Sequence, residues 1–401
     1  MVGLSQALLL AAKNPEWRIA LIEAYPLKVH PSETKVQVQH HNSFDNRSTA
    51  LAAGSRAILQ TCGVWSEIAA HLTPIQRVHV SDRGHFAGLN LDATDYPEEA
   101  LGYVIENPYL GWALANKAIN HPSIHIAAPA TVAQLQRLRT GWQLNLSERE
   151  QPLQCRLLIL ADGAESRLGK QLGIDYQVED YRQNAIIANV ETDQPHNCVA
   201  YERFTAEGPV ALLPLGLSAN SCRSALVWTR PQDQTEPLLA SDEAEFCRRL
   251  QQMFGTRAGR FIRVGQRQAY PLRLVVATEQ IRAGLVLMGN AAHFLHPVAG
   301  QGFNLALRDC AGLAEILAKQ SEAVGALPTL ESYWRYQQGD QRTTIGLSNQ
   351  LVKQFSTASP AGALLRGLGI MSLDAFGPAR KAFAQQAMGF PAAVAGQGQS
   401  L

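Results

Sequence analysis

No apolar run in this 401-residue sequence reaches the roughly 18 to 20 residues that a helix needs to cross a bilayer. A membrane-spanning helix is therefore excluded, although a single apolar patch would suffice for contact at a membrane surface. The stretch from Met1 to Ala12 lacks the basic flank and cleavage site of a signal peptide. The expected location is the cytoplasm, with peripheral contact at the inner face of the membrane left open. Charge is balanced, with 35 Lys and Arg against 34 Asp and Glu and a formal net charge of +1. Without a basic block to neutralise a phosphate backbone, nucleic acid is not expected as a partner. The six cysteines, Cys62, Cys155, Cys198, Cys222, Cys247 and Cys310, are scattered. No CxxC pair and no His/Cys pairing at zinc spacing occurs, so no metal is assigned, and we read the thiols as reduced and buried.

What is present is 46% hydrophobic residues, enough at this length for a large core in two or three units. Val2 to Lys13 reads as a helix of small and apolar residues, and Trp17 to Glu23 as a buried strand ending in an acid. A helix followed by a parallel strand normally follows an earlier strand in a βαβ unit. The expectation is therefore an upstream strand and glycine turn, and a start at Met1 that is misassigned or truncated. Asn46 to His71 reads as helical, Val78 to Ser81 and Gly102 to Glu106 as short strands, and Ser123 to Ala128 with Gly141 to Leu146 as a strand pair. Arg156 to Ala161 and Gly284 to Gly289 have the continuous apolar character of buried parallel strands. Between them, Tyr176 to Leu274 reads as an antiparallel sheet with one helix near Asp242 to Phe254. Helices fill most of Leu327 to Met388, and Ala392 to Leu401 reads as a tail.

Three strings carry chemistry. Gly3 stands 20 residues before Glu23, the separation at which a dinucleotide-binding unit sets a glycine near the pyrophosphate and an acid on the ribose. A helix-packing glycine and a surface acid would read the same way. Asp162 and Gly163 directly follow a buried strand, where the backbone can turn close to a ligand, or where the turn is simply tight. The third string, Gly289-Asn290-Ala291-Ala292-His293 through Pro297 and Gly300-Gln301-Gly302-Phe303-Asn304, is the most specific. Small residues after a strand, then proline and Gly-Gln-Gly opening a helix, offer unpaired N–H groups at a positive helix end. His293 and His296 invite an acid/base reading, but without a carboxylate nearby in sequence they read rather as packing or orienting residues.

In this order the three strings resemble the flavoprotein monooxygenases of the para-hydroxybenzoate hydroxylase type, and the resemblance covers essentially the whole chain. Arg47, in Asp45-Asn46-Arg47-Ser48-Thr49-Ala50-Leu51, is similar to that family's flavin-contacting arginine at the start of a helix. Glu202-Arg203-Phe204-Thr205, Gly208-Pro209, Leu213-Pro214-Leu215 and Asn290 in place of the usual aspartate look like its ubiquinone-biosynthesis hydroxylases. The family's usual polar flavin contact after the Ile105-Glu106-Asn107 strand is replaced by Trp112-Ala113, and nothing is carried over there.

The resemblance implies an α/β fold: a Rossmann-like FAD-binding domain (1–75, 101–175 and 275–325), an inserted, mostly antiparallel substrate sheet (76–100 and 176–274) and a helical C-terminal segment (326–401). It implies FAD held by Gly3, Glu23, Arg47, Asp162, Gly163, Gly289, Asn290, Pro297, Gly300, Gln301, Gly302 and Asn304. NADH or NADPH would be the reductant and O2 the co-substrate, with the flavin doing the chemistry and no catalytic side chain assigned. The implied substrate is a prenylated phenol lying against the sheet, with Phe204, Leu213, Trp228, Tyr270 and Phe303 as candidate contacts; other ubiquinone-biosynthesis proteins are possible partners. Arg203 reads equally as a phenolate contact or a solvated strand arginine. Three other readings stand beside this one: hydroxylation at another ring position, a reductase or halogenase on the same scaffold, and a flavin-poor scaffold subunit. A halogenase would be expected to carry a WxWxIP-like segment, and none occurs.

Overall fold

The computed structural model describes residues 1–27, 46–84, 88–295, 300–355 and 377–390. The helix Val2–Lys13 buries every residue from Leu4 to Ala11, so it is covered on all sides rather than along one stripe. It leads into the strand Ile19–Ile22, which pairs in parallel with Ile124–Ala127, Ile19 opposite Ile124. A second parallel pair joins Leu158–Leu160 to Leu285–Leu287. Leu285, Val286 and Leu287 are at most 1% exposed, as expected of strands covered on both faces. The helices Asn107–Ile119 and Gln301–Lys319 close this core, with Leu110, Leu114, Leu307 and Leu313 packed against Leu8, Val286 and Met288. The 19–22 and 158–160 strands both line a cleft of about 2000 Å³, which also reaches Gly3, Glu23, Asp162 and Gly163.

Among the described residues, the second layer is a nine-stranded sheet. Its main path runs His293–Phe294, Gln268–Ala277, Tyr176–Thr192, Arg223–Pro231, Val210–Leu215, Val199–Phe204, Arg77–Asp82 and Gly88–Asp92, and Phe261–Val264 also pairs with 176–192. All pairings are antiparallel except that of 199–204 with 77–82. Alternation gives it two different faces. On one, Ile186, Val210, Leu226 and Trp228 pack against Phe246, Leu250 and Phe254 of the helix Glu243–Phe254. That helix starts where Asp242 Oδ1 accepts from the Glu245 N–H at 2.7 Å and ends at Gly255, φ +84°. On the other face, Ala200, Phe204, Leu215 and Ala225 meet Ile75 and Val104, with Ala384 and Met388 at the C-terminal end.

Three sequence expectations change. Arg47 does not open a helix: Ser48–Ala52 is a strand, antiparallel to Gly102–Glu106, and the helix begins only at Ser55. Alanine-rich text favours a helix locally, but a waiting strand edge overrides a propensity of a few tenths of a kcal/mol per residue. The 124–127 strand pairs with 19–22 rather than with 141–146, which instead joins Val132–Leu138 and Leu153–Cys155. Cys155 and Cys222 are only part-buried, although all six thiols are free. Burial pushes the Cys62 thiol up to about 12 and Cys155 up to about 11, which leaves them unreactive. Among the described residues, no helix is long and apolar enough to cross a membrane.

Candidate functional site

The expected cofactor residues fall into two groups. Gly3, Glu23, Asp162 and Gly163 line the cleft between the two parallel pairs. Gly3 faces Leu21 and Ala161, where a Cβ would stand 3.4 and 4.0 Å from their side chains. Glu23 fixes the end of its strand: its N–H donates to Ala127 O at 2.9 Å, and its Oε1 accepts from the Tyr25 N–H at 3.1 Å. Asp162 is exposed, and its Oδ2 accepts from Ser166 Oγ at 2.7 Å. Ser166 Oγ in turn accepts from the Gly169 N–H at 2.9 Å and so caps the helix Arg167–Gln171. Gly163 sits at φ +100° with open space in front of it, a conformation that only glycine adopts without strain. Ser166→Ala should cost about 1 kcal/mol through loss of the cap; an unchanged denaturant midpoint would show that the cap contributes nothing.

The second group surrounds the Ser48–Ala52 strand. Gly300 adopts φ +61° at the start of the 301–319 helix, which has no side-chain cap, and a Cβ there would lie 3.1 Å from that of Ala50. Gly302 faces open space, whereas Gln301 donates to Ala387 O at 3.3 Å. Asn304 is fully engaged within the protein. Its Oδ1 accepts from Ala52 N and Ser55 Oγ, both at 2.8 Å, and its Nδ2 donates to Ala50 O at 2.9 Å and Gly300 O at 2.8 Å. That exhausts an amide's two donors and two acceptor positions, so its side chain shapes the loop rather than reaching a ligand. Gly289, φ +59°, packs against Val2 and joins the two groups, while Asn290 is exposed. Pro297 lies outside the described residues.

Arg47 is exposed and reaches across to the large sheet. Its Nη2 donates to Gln268 Oε1 at 2.6 Å, and its guanidinium stands 4.4 Å from the Tyr270 ring centroid. Nearby, Asn46 Nδ2 donates to Glu106 Oε2 at 2.9 Å, and Asn189 Nδ2 donates to Asn46 O at 2.8 Å. The arginine segment therefore lies on the face of the sheet that carries Gln268, Asn189, Phe204 and Leu213. Of the expected substrate contacts, Tyr270, Phe204 and Leu213 share that face. Trp228 does not: it is 1% exposed on the opposite face, edge-on to Phe246. Phe303 packs into the core of the first layer. Even-numbered residues of the 223–231 strand turn away from the odd-numbered Ala225, and that parity was readable only once the register was known.

Sequence reading missed two partners. Gln268 was invisible because its role depends on a contact with a residue 221 positions away. Asp309 holds His293: Nε2 lies 2.5 Å from Asp309 Oδ2, with both side chains at most 1% exposed. Gln341 Nε2 donates to the other carboxylate oxygen at 3.0 Å. An acid on the buried side of the apolar 301–319 helix was the available signal. His293 is thus an orienting residue tied to two helices, and among the described residues no cluster of three or more His, Cys, Asp or Glu could hold a metal.

Residues 34–337 match the family described as an FAD binding domain. The chain belongs to this family, the FAD-binding flavoprotein monooxygenases. A relative from Rhodospirillum rubrum, ubiquinone hydroxylase UbiL, is 34% identical over 349 residues, which cover 86% of this chain and 80% of the relative. The 3-demethoxyubiquinol 3-hydroxylase of Escherichia coli is 28% identical over 349 residues, covering 86% of this chain and 88% of that one. The solved structure of p-nitrophenol 4-monooxygenase PnpA from Pseudomonas putida DLL-E4 superposes with a TM-score of 0.75 over 98% of this chain and 96% of its own, at 16% identity. A likeness that distant shows the fold alone.

The residues present fit FAD. Two helix N-termini without side-chain caps, at Val2 and Gln301, leave N–H groups for an anionic group. Gly163 and Gly302 leave the space that a bulkier residue would fill. Gly3 and Glu23 on the cleft side, and Arg47 with Gly300 to Gly302 on the sheet side, are the residues that would hold the cofactor.

Proposed function

We propose that the protein hydroxylates a prenylated phenol in ubiquinone biosynthesis, with 2-octaprenyl-6-methoxyphenol as the substrate, NADH or NADPH as reductant and O2 as co-substrate. Bound FAD would supply the redox and oxygen-activating chemistry. The chain's own part is to bind, orient and exclude water. Arg47 bridges from the cofactor side to Gln268 and Tyr270, and this contact is the observation that carries the reading. It sets a cofactor-binding cation over the sheet face on which Phe204 and Leu213 offer an apolar wall to an aromatic ring. In this reading residues 1–75, 101–175 and 275–325 serve the cofactor, 76–100 and 176–274 form the substrate wall, and 326–401 are the C-terminal helices and tail. The hydroxylase names of the relatives support the same chemistry.

The test is isotopic. Under ¹⁸O2 the purified holoprotein should place one labelled oxygen on the prenylphenol ring, and the phenol should stimulate nicotinamide oxidation. Label arriving only from water, or oxidation indifferent to every prenylphenol, would overturn the assignment. Complementation of strains blocked at each hydroxylation step then names the ring carbon. A colourless, folded protein that refuses added FAD would instead support the scaffold reading.

A further inference from the structure

We propose that Glu202 is the group that accepts the proton of the phenolic hydroxyl when a phenol lies against the cofactor-facing side of the large sheet. The inference rests on the hydroxylase reading above and adds a residue to a mechanism that otherwise assigns no side chain to proton transfer.

Register places the residue. Gln268, Ile187, Val227, Ala211, Glu202, Val80 and Leu89 stand directly opposite one another on successive strands. Residues paired in this way project to one face. Glu202 therefore shares the face of Gln268, the residue that Arg47 reaches from the cofactor side. Its flanking residues point the other way: Tyr201 lies edge-on to Phe254, and Arg203 lies beside Gly255. Around Glu202 the wall is apolar, with Ala200 and Phe204 on its own strand, Val80 and Leu213 on its neighbours and Leu89 one strand further.

A carboxylate in such a wall loses hydration, and the loss is unfavourable unless something hydrogen-bonds it. Nothing does: Glu202 has no hydrogen-bond or ion-pair partner among the described residues. The residue keeps partial solvent access, so a ligand can reach it. The other charged groups of this face are engaged or distant. Arg223 pairs with Glu106 at 2.7 Å, Asp82 ends the 77–82 strand opposite Phe204 and is engaged there, and Glu191 lies at the end of its strand opposite Arg223 and Arg263. On the C-terminal helix Gly377–Ala387, Arg380 stands beside Tyr96 and Lys381 is exposed. Burial alone pushes the Glu202 carboxyl up to about 7, where a group works well as a general base at neutral pH. In the step, the phenolic O–H bond breaks, its electron pair stays on oxygen, and the proton passes to the carboxylate. The resulting phenolate enriches the ortho and para carbons that take up the oxygen atom. The sign of the pH effect follows. Because the carboxyl pKa is raised, the base is present above about pH 7 and is lost by protonation below it.

Glu202→Gln keeps size and removes the base, so turnover of a prenylphenol should fall about 100-fold, and the acidic limb near pH 7 should vanish from the rate profile. A ring-fluorinated prenylphenol that is already ionised at assay pH bypasses the step and should lose no more than about threefold. Glu202→Asp, which keeps a carboxylate, should recover part of the rate. A binding arm needs no turnover: a prenylated nitrophenol, whose phenolate absorbs in the visible, should ionise at higher pH on the wild-type holoprotein than on Glu202→Gln, because a carboxylate held beside the oxygen disfavours a second negative charge. Equal losses on both phenols, a full rate in Glu202→Gln, or the same nitrophenol ionisation on both proteins would overturn the proposal. If the wild type turned over no phenol, the hydroxylase reading would fall, and the binding arm would still decide the role of Glu202.

Discussion

Asp309→Ala is expected to destabilise the protein by about 1 to 3 kcal/mol for each of the two buried donors it leaves without an acceptor. The carboxylate is enclosed between His293 Nε2 at 2.5 Å and the Gln341 amide at 3.0 Å, and all three side chains are buried. His293 belongs to the 293–294 strand that follows the Gly289 turn, Asp309 to the 301–319 helix, and Gln341 to Leu327–Phe355. One side chain therefore ties the third cofactor string to two long helices. Its loss leaves the imidazole and the amide without an acceptor, and the His293 Nδ1 has no partner among the described residues to compensate. Chemical denaturation should show the midpoint shift, and Asp309→Asn, which keeps an acceptor oxygen, should lose less. A midpoint unchanged in Asp309→Ala would show the pair to be energetically idle.

Arg47→Ala should release FAD rather than unfold the chain. An arginine that makes charge-assisted hydrogen bonds contributes about 1.5 to 3 kcal/mol, so affinity should drop roughly tenfold to hundredfold. Little stability should be lost, since Arg47 is exposed and its side-chain partners, Gln268 and the Tyr270 ring, are neutral. Flavin content at limiting FAD and the melting temperature of the apoprotein separate the two effects. A variant that stays fully yellow but melts far lower would make Arg47 a structural residue, and the sheet-side half of the cofactor assignment would lose its anchor. Gln268→Ala should lower affinity by less, since it removes only the contact that orients the guanidinium.

The sequence by itself determined the elements whose cause is local. Continuous apolar runs at 158–160 and 285–287, bounded by turn residues, read as buried strands, and the Asp242 cap with Phe246, Leu250 and Phe254 at helical spacing reads as one amphipathic helix. The order of the glycine strings was enough to indicate the family, because close approach to a phosphate demands glycine at particular points along the chain. Whatever depends on pairing was left to the tertiary structure. Ala50 and Leu51 belong to a strand because the 102–106 edge lies beside them. Trp228 faces the 243–254 helix, and Glu202 the side that Arg47 reaches, because a one-residue step in register turns a side chain through the sheet. Asn304 is a brace and Asp309 a tie because their partners are brought from distant segments only by folding. A side chain's chemistry is written in its residue type, but the neighbour that uses it is set by packing.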